Sequence, residues 1–301
     1  MKATRVSICG RFLFLLLFLF AAGGALARAN SLDAVLSAGK LRHLGIVYAN
    51  FITENKTGLD VELMQGFAAH LGVSYEFVET NWRNVLPDLT GKVVKPVGEE
   101  IEIVGAQQVR GDVIATGFTV LPWRKKVVDF SETTFPTGVW LISRADSTLH
   151  PIAPTGSIAA DIDAVKRGLT GYSVLGLENS CLDPKLYGLE QTQAEIKLFP
   201  IDRNLNEMIP AVLARLADTT LMDVPVALIA LETWPGEIKV VGPVSAPQRM
   251  ACAFSQSAPE LRKVFNDFFR DLQKKGQYRK LVEKYYPSVF TYFPEFLQGT
   301  P

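Results

Sequence analysis

The chain has 301 residues, 48% of them hydrophobic, with 31 basic and 31 acidic side chains. That length suffices for more than one lobe around a buried core. The balanced charge excludes the strongly basic surface that nucleic acids or anionic membranes select.

Residues 1–29 read as a signal peptide. Lys2, Arg5 and Arg11 form a basic start, Phe12 to Phe20 is a Leu/Phe run, and Ala25-Leu26-Ala27 and Ala27-Arg28-Ala29 are small-x-small cleavage sites. The run is too short for a comfortable membrane span. Cys9 precedes it and no cysteine follows directly, so no lipid anchor is expected there. With Arg28, four bases and no acid are lost on cleavage, leaving a mildly acidic, exported chain. Cys181 and Cys252 remain; they can pair in an oxidising compartment or stay as two buried thiols. His43, His70 and His150 are scattered, so no metal site, no Cys/His dyad and no cofactor is read.

In chain order, Ser31 caps a short helix ending near Gly39, and Leu41–Tyr48 is a first strand with Tyr48-Ala49-Asn50-Phe51 as the loop beyond it. A helix opens at Thr57-Gly58, carries Val61, Leu63, Met64, Phe67, Ala68 and Leu71 as a stripe, and stops at Gly72. Ser74–Val78 is a second strand, Trp82–Leu89 a short helix, and 92–110 an insertion that reads as a surface hairpin, its plain interpretation being decoration. The third strand is at Val113, giving β-α-β-α-β, the order of a parallel α/β sheet. Phe135–Ser143 is a strand crossing to a second lobe, followed by a Pro-rich loop at His150–Gly156 and a strand at Tyr172–Leu177. Leu205–Leu216 is a helix, Thr220–Ala227 delivers Asp223 just before a helix start, and Ile238–Val241 is a strand. Pro247–Phe254 is the return crossing. Ala258–Lys275 is an amphipathic helix, Gln277–Tyr286 a last one, and the tail from Tyr292 is irregular.

The stretch from Gly111 to Ser131 carries the chemistry. Val113-Ile114-Ala115 suits a buried strand, Gly117 lets the backbone approach something closely, and Thr119 offers a hydroxyl and an N–H. Pro122 suits the first turn of a short helix, and Arg124 follows at the strand's lip. A guanidinium fork beside free N–H groups matches a carboxylate; Lys125 and Lys126 read as solvated surface.

These residues resemble the family 3 periplasmic solute-binding proteins, the amino-acid-binding components of ABC importers. The matching pieces are Gly39-Lys40-Leu41-Arg42, Gly58 to Leu63, Leu71-Gly72-Val73, Gly117-x-Thr119, Arg124 to Ser131, Met222 to Ala227, and Pro259-Glu260-Leu261 with Gly276-Gln277-Tyr278. The resemblance implies an α/β, two-lobed periplasmic-binding-protein fold (type II), with mostly parallel sheets flanked by helices and a two-strand hinge. Lobe 1 would span 30–135 and 251–301, and lobe 2 139–247. It implies that Arg124 holds a ligand carboxylate, that Thr119 and Gly117 assist, and that Asp223 holds an ammonium. It also implies that Phe51 or Tyr48 packs on the ligand, with Ser180 a looser match; Asp223 can equally be a helix N-cap. Expected partners are a small amino-acid-like carboxylate and a membrane ABC permease, with the protein a monomer that binds no nucleic acid.

Three departures from the family pattern stand out: Leu121, followed by Pro122 and Trp123, where a second Thr is usual; the 92–110 insertion; and Asn179 in place of a usual Gly. Two competing functions share the scaffold. A cyclohexadienyl dehydratase-like enzyme would need a general acid, for which Glu178 is the candidate besides Asp223. A ligand sensor could use Lys92–Arg110 to dock on a receptor.

Overall fold

A computed structural model describes residues 30–297; the signal-peptide expectation for 1–29 and the last four residues of the tail lie outside the described residues. The element order begins α1 (Leu32–Ala38), β1 (Lys40–Gly45), α2 (Leu59–Leu71), β2 (Ser74–Glu79), α3 (Val85–Thr90), β3 (Lys92–Val97), β4 (Glu100–Ala106) and β5 (Val113–Ile114). It continues with β6 (Val128–Thr137), β7 (Val139–Arg144), α4 (Ile158–Arg167), β8 (Ser173–Gly176), β9 (Glu195–Leu198), α5 (Met208–Leu213), β10 (Thr219–Asp223) and α6 (Val224–Thr233). The chain ends with β11 (Ile238–Pro243), β12 (Gln248–Ser255), α7 (Pro259–Lys274), α8 (Gln277–Tyr285) and α9 (Val289–Tyr292).

The strands form two five-stranded sheets, ordered β2-β1-β5-β12-β6 and β11-β7-β10-β8-β9, plus the separate hairpin β3-β4. Each sheet is parallel on one side: β1 pairs with β2 and β5, and β8 with β9 and β10. The strands that cross between sheets, β6, β7, β11 and β12, make the antiparallel pairs. The sheets are therefore more evenly mixed than expected, because each crossing strand re-enters its sheet head to tail. The expected single strand Phe135–Ser143 is two strands, broken at Gly138, where the chain leaves one sheet for the other.

Local chemistry accounts for the helices that frame the first sheet. In α1 the Ser31 hydroxyl accepts the Ala34 N–H, and Gly39 closes the helix in the left-handed region. In α2 Leu59, Leu63, Met64 and Phe67 are fully buried and Gly72 ends the helix. In α7 Leu261, Phe265, Phe268 and Phe269 are buried, each contributing about 1.5–3 kcal/mol. Among the described residues no helix is long and apolar enough to cross a membrane.

Candidate functional site

Arg124 opens a 3-10 turn (Arg124–Lys126) between β5 and β6 and is buried, while Lys125 and Lys126 are exposed. One terminal nitrogen donates to the Thr119 carbonyl at 2.9 Å, and the guanidinium lies 4.1 Å from the Phe118 ring centroid, a cation–π seat. Its Nε has no partner, and among the described residues no carboxylate pairs with it. Burial pulls its pKa below the ordinary guanidinium value, while Cys181 and Asp223 push it back up.

The loop that aims Arg124 is fixed from two sides. Val120 N–H donates to Arg249 O and Ala251 N–H to Phe118 O, stitching residues 118–120 onto β12. Gly117 has φ +58, and its N–H donates to the buried Asp60 carboxylate at 2.7 Å. A Cβ at Gly117 would come within 2.6 Å of the Phe51 ring, so the close approach read from the sequence is to Phe51. Phe51 itself packs in the aromatic core against Phe135 and Tyr286, centroids 5.3 and 4.8 Å away. The Thr119 hydroxyl is buried and unpartnered.

Asp223 ends β10, fully buried, at the point where α6 begins, but its side chain makes no cap hydrogen bond. Its Oδ2 instead accepts the Tyr48 hydroxyl at 2.6 Å and the Cys181 thiol at 3.2 Å, while its Oδ1 is unpartnered. Burial pushes its pKa up, opposed by Tyr48 and Cys181. Burial, with the Asp223 charge, also pushes the Cys181 thiol up. Asp223 and Cys181 lie in the second sheet's half and Tyr48 follows β1, so the Tyr48 contact bridges the halves. Three more hydrogen bonds do the same: Ala49 N–H to Asn206 Oδ1 (3.1 Å), Asn204 Nδ2 to Glu54 Oε1 (3.3 Å) and Gln248 Nε2 to the Tyr187 hydroxyl (3.2 Å).

The structure thus gathers Arg124, Thr119, Asp223 and Tyr48 at one buried seam, with Gly117 as their support. Ser180 stands apart in chemistry: its hydroxyl donates to Leu177 O (2.8 Å) and accepts Leu182 N–H (2.9 Å), closing its own turn. Asn179 occupies the left-handed region at φ +61, the conformation that glycine serves elsewhere and that Asn tolerates best among other residues. Cys181 joins the seam as a thiol; it and Cys252 are free and buried, not paired. Its contact with Asp223 spans 42 residues of sequence and depends on the Asn179 turn, so only its place directly after Asn179-Ser180 hinted at it. Glu178, the candidate general acid, is half exposed and paired with Lys185 at 2.9 Å. Among the described residues no cluster of His, Cys, Asp or Glu could hold a metal ion.

Residues 48–288 match the model of the bacterial extracellular solute-binding proteins, family 3. A membrane-bound lytic murein transglycosylase F of Desulfosudis oleivorans is 26% identical over 79% of this chain, but the match spans only 46% of that relative. The L-cystine-binding protein TcyJ of Escherichia coli is 24% identical over 78% of this chain and 76% of its own length. Among solved structures, a mutant of ArgBP from T. maritima superimposes with a TM-score of 0.67 at 23% identity, over 85% of this chain and 99% of that one. That likeness fixes the two-lobed fold, and the family match covers both halves of the buried seam. The chain belongs to the bacterial extracellular solute-binding proteins, family 3.

Proposed function

We propose that this protein captures a small amino-acid-like zwitterion between its lobes, with the ligand carboxylate on Arg124 and Thr119 and the ammonium on Asp223, and delivers it to an ABC permease after export to the periplasm. The observation that carries the reading is the set of buried polar atoms left without partners at one seam: Arg124 Nε, Thr119 Oγ1 and Asp223 Oδ1. Buried polar groups are normally satisfied, and an unpaired buried charge costs several kcal/mol, so a cation and an anion in this condition fit a ligand of complementary charges. Family membership and the names of the L-cystine-binding and ArgBP relatives support an amino acid over other solutes. Tyr48 and Cys181 would yield Asp223 Oδ2 to the ammonium as the lobes part and reclose, a hinge motion common to two-lobed binding proteins.

The test is a thermal-shift screen of the mature chain against amino acids and small carboxylates. A binder raises the melting temperature as its concentration passes its dissociation constant. Arg124→Ala should abolish the shift; a hit that stabilises the variant as much as the parent removes the carboxylate clamp from consideration.

A further inference from the structure

The family match ends at residue 288, and the chain runs on beyond it across the hinge. Two prolines set its course. Pro287 stops α8, and Pro294 bars the helical region to Phe293, which ends α9 at φ −129, ψ 69. A turn follows, in which the Phe296 N–H donates to Phe293 O at 2.9 Å. The segment is anchored on the first lobe. Val289 is fully buried, the Arg279 guanidinium lies 4.4 Å from the Phe290 ring centroid, and the Phe296 ring packs on Phe135 at 5.3 Å. Phe135 belongs to β6, just before the Gly138 break. Tyr292 reaches past that break, its ring meeting Trp140 of β7 edge to face at 5.6 Å. Strand β7 belongs to the second sheet, where Trp140 pairs with Met222, the residue before Asp223. One short segment thus grips both lobes at the point where the chain crosses between them.

We infer that residues 289–297 are a strap over the hinge that favours the arrangement in which the lobes meet, with Tyr292 on Trp140 as its clasp. Tyr292 is 49% exposed, so its ring is a surface contact and not part of either core. Anchor and clasp lie on opposite sides of the hinge. Rotation of the lobes carries β7 away from β6, and a tail fixed to Phe135 cannot follow both. An aromatic pair made in one arrangement and broken in the other shifts their ratio by about 2- to 12-fold. That is enough to bias the hinge and too little to lock it. The strap therefore sets the closed fraction of the free protein, and the apparent affinity for any ligand that needs closure scales with that fraction. It also meets the packing behind the clamp from both sides. Phe135 contacts Phe51, the ring beneath Gly117, and Trp140 borders the strand that delivers Asp223.

The strap is tested on the mature chain without ligand, so its failure leaves the clamp reading untouched. The Ala49 N–H donates across the lobes to Asn206, and its hydrogen exchange, followed by NMR, reports their separation. The parent is compared with Tyr292→Ala, Trp140→Ala, the double variant and Tyr292→Phe. Tyr292→Ala should speed Ala49 exchange by about 2- to 12-fold and leave the slow amides of β12 at the parent's rate. Tyr292→Phe keeps the ring and should keep the parent's rate at both places. In the Trp140→Ala background, Tyr292→Ala should add nothing further, since the clasp is already gone. Small-angle X-ray scattering should show a larger radius of gyration for Tyr292→Ala than for the parent. Should Trp140→Ala fail to fold, the two Tyr292 variants decide alone. Ala49 exchange equal in the parent and Tyr292→Ala overturns the strap. So does an acceleration shared equally by β12, which marks a tail that merely stabilises the fold, or full additivity of the Tyr292 and Trp140 substitutions.

Discussion

Behind the Gly117 loop, two buried groups titrate in opposite senses. His43 Nε2 donates to Ala115 O at 2.6 Å and its Nδ1 accepts the Tyr75 hydroxyl at 2.8 Å, the one tautomer that serves both partners. Burial pulls its pKa from 6.5 down to about 4. Burial pushes Asp60 from 3.8 up to about 7, against the Gly117 N–H that favours its charge. A depressed histidine gives stability that is present above its unfolded value of 6.5 and lost as pH falls through about 4. A raised carboxylate gives stability that is present below 3.8 and lost as pH rises through about 7. Between these limits the folded chain holds a proton on Asp60 and none on His43, and the unfolded chain does the reverse, so the two slopes cancel. The groups facing Asp60, namely Tyr75, Tyr278, Tyr286 and Cys252, are all raised and stay protonated there. Asp60→Asn keeps an oxygen for Gly117 and removes one half of the balance. Its unfolding free energy, read from urea titrations, should fall as pH drops from 6.5 toward 4, by up to roughly 3 kcal/mol, relative to the parent's own profile. Parallel profiles for the two proteins would show that Asp60 is ionised in the fold.

Among the elements, the β3–β4 hairpin is the least supported. It pairs with neither five-stranded sheet, and Val97, Ile103 and Val104 on it are exposed. A two-stranded hairpin alone is marginal in water, so its hold on the molecule comes chiefly from Val94 and Ile101, which pack against the core, the exposed Lys126–Glu100 pair adding little. Hydrogen exchange should therefore be fastest in 93–105 and slowest in β12, which lies between two strands and is buried through residues 250–255. Equal protection of the hairpin and β12 would contradict this account. The same contrast explains what was legible in the sequence. Helix α1 is readable from its Ser31 cap and Gly39 stop although it buries only Val35, and α2 and α7 from their apolar stripes and the glycines that follow them. Helix α4 passed unread despite its Ser157 cap, because its buried residues are only Asp161 and Val165 and no stripe exists to find. Strand β9 passed unread because none of its four residues is fully buried. The position of Asp223 at the end of an apolar strand is legible in the sequence, and so is that of Arg124 in the turn that follows the Gly117 loop. The Cys181 contact is not, since it arises only when segments distant in sequence are folded together.

At the scale of the whole molecule, two sheets joined by two crossings meet at a seam whose polar residues serve both halves. Ala49 to Asn206, Asn204 to Glu54 and Gln248 to Tyr187 are neutral or partly exposed contacts worth about 1 kcal/mol each, and the buried Tyr48 to Asp223 bond is worth about 1.5–3 kcal/mol. Such contacts can be exchanged, whereas the buried Arg124 and Asp223 charges demand compensation on a larger scale. The proposed clamp accordingly predicts that a ligand's two charges govern closure. A double-mutant cycle between protein and ligand tests it most directly. The bound amino acid, its amide (no carboxylate) and its deaminated acid (no ammonium) are titrated by calorimetry into the parent, Arg124→Ala and Asp223→Asn. Removing the carboxylate should cost the parent about 2–5 kcal/mol and cost Arg124→Ala little; removing the ammonium should do the same with Asp223→Asn. Losses that simply add, whichever ligand charge and whichever side chain is removed, would mean that Arg124 and Asp223 do not hold the two ends of the ligand.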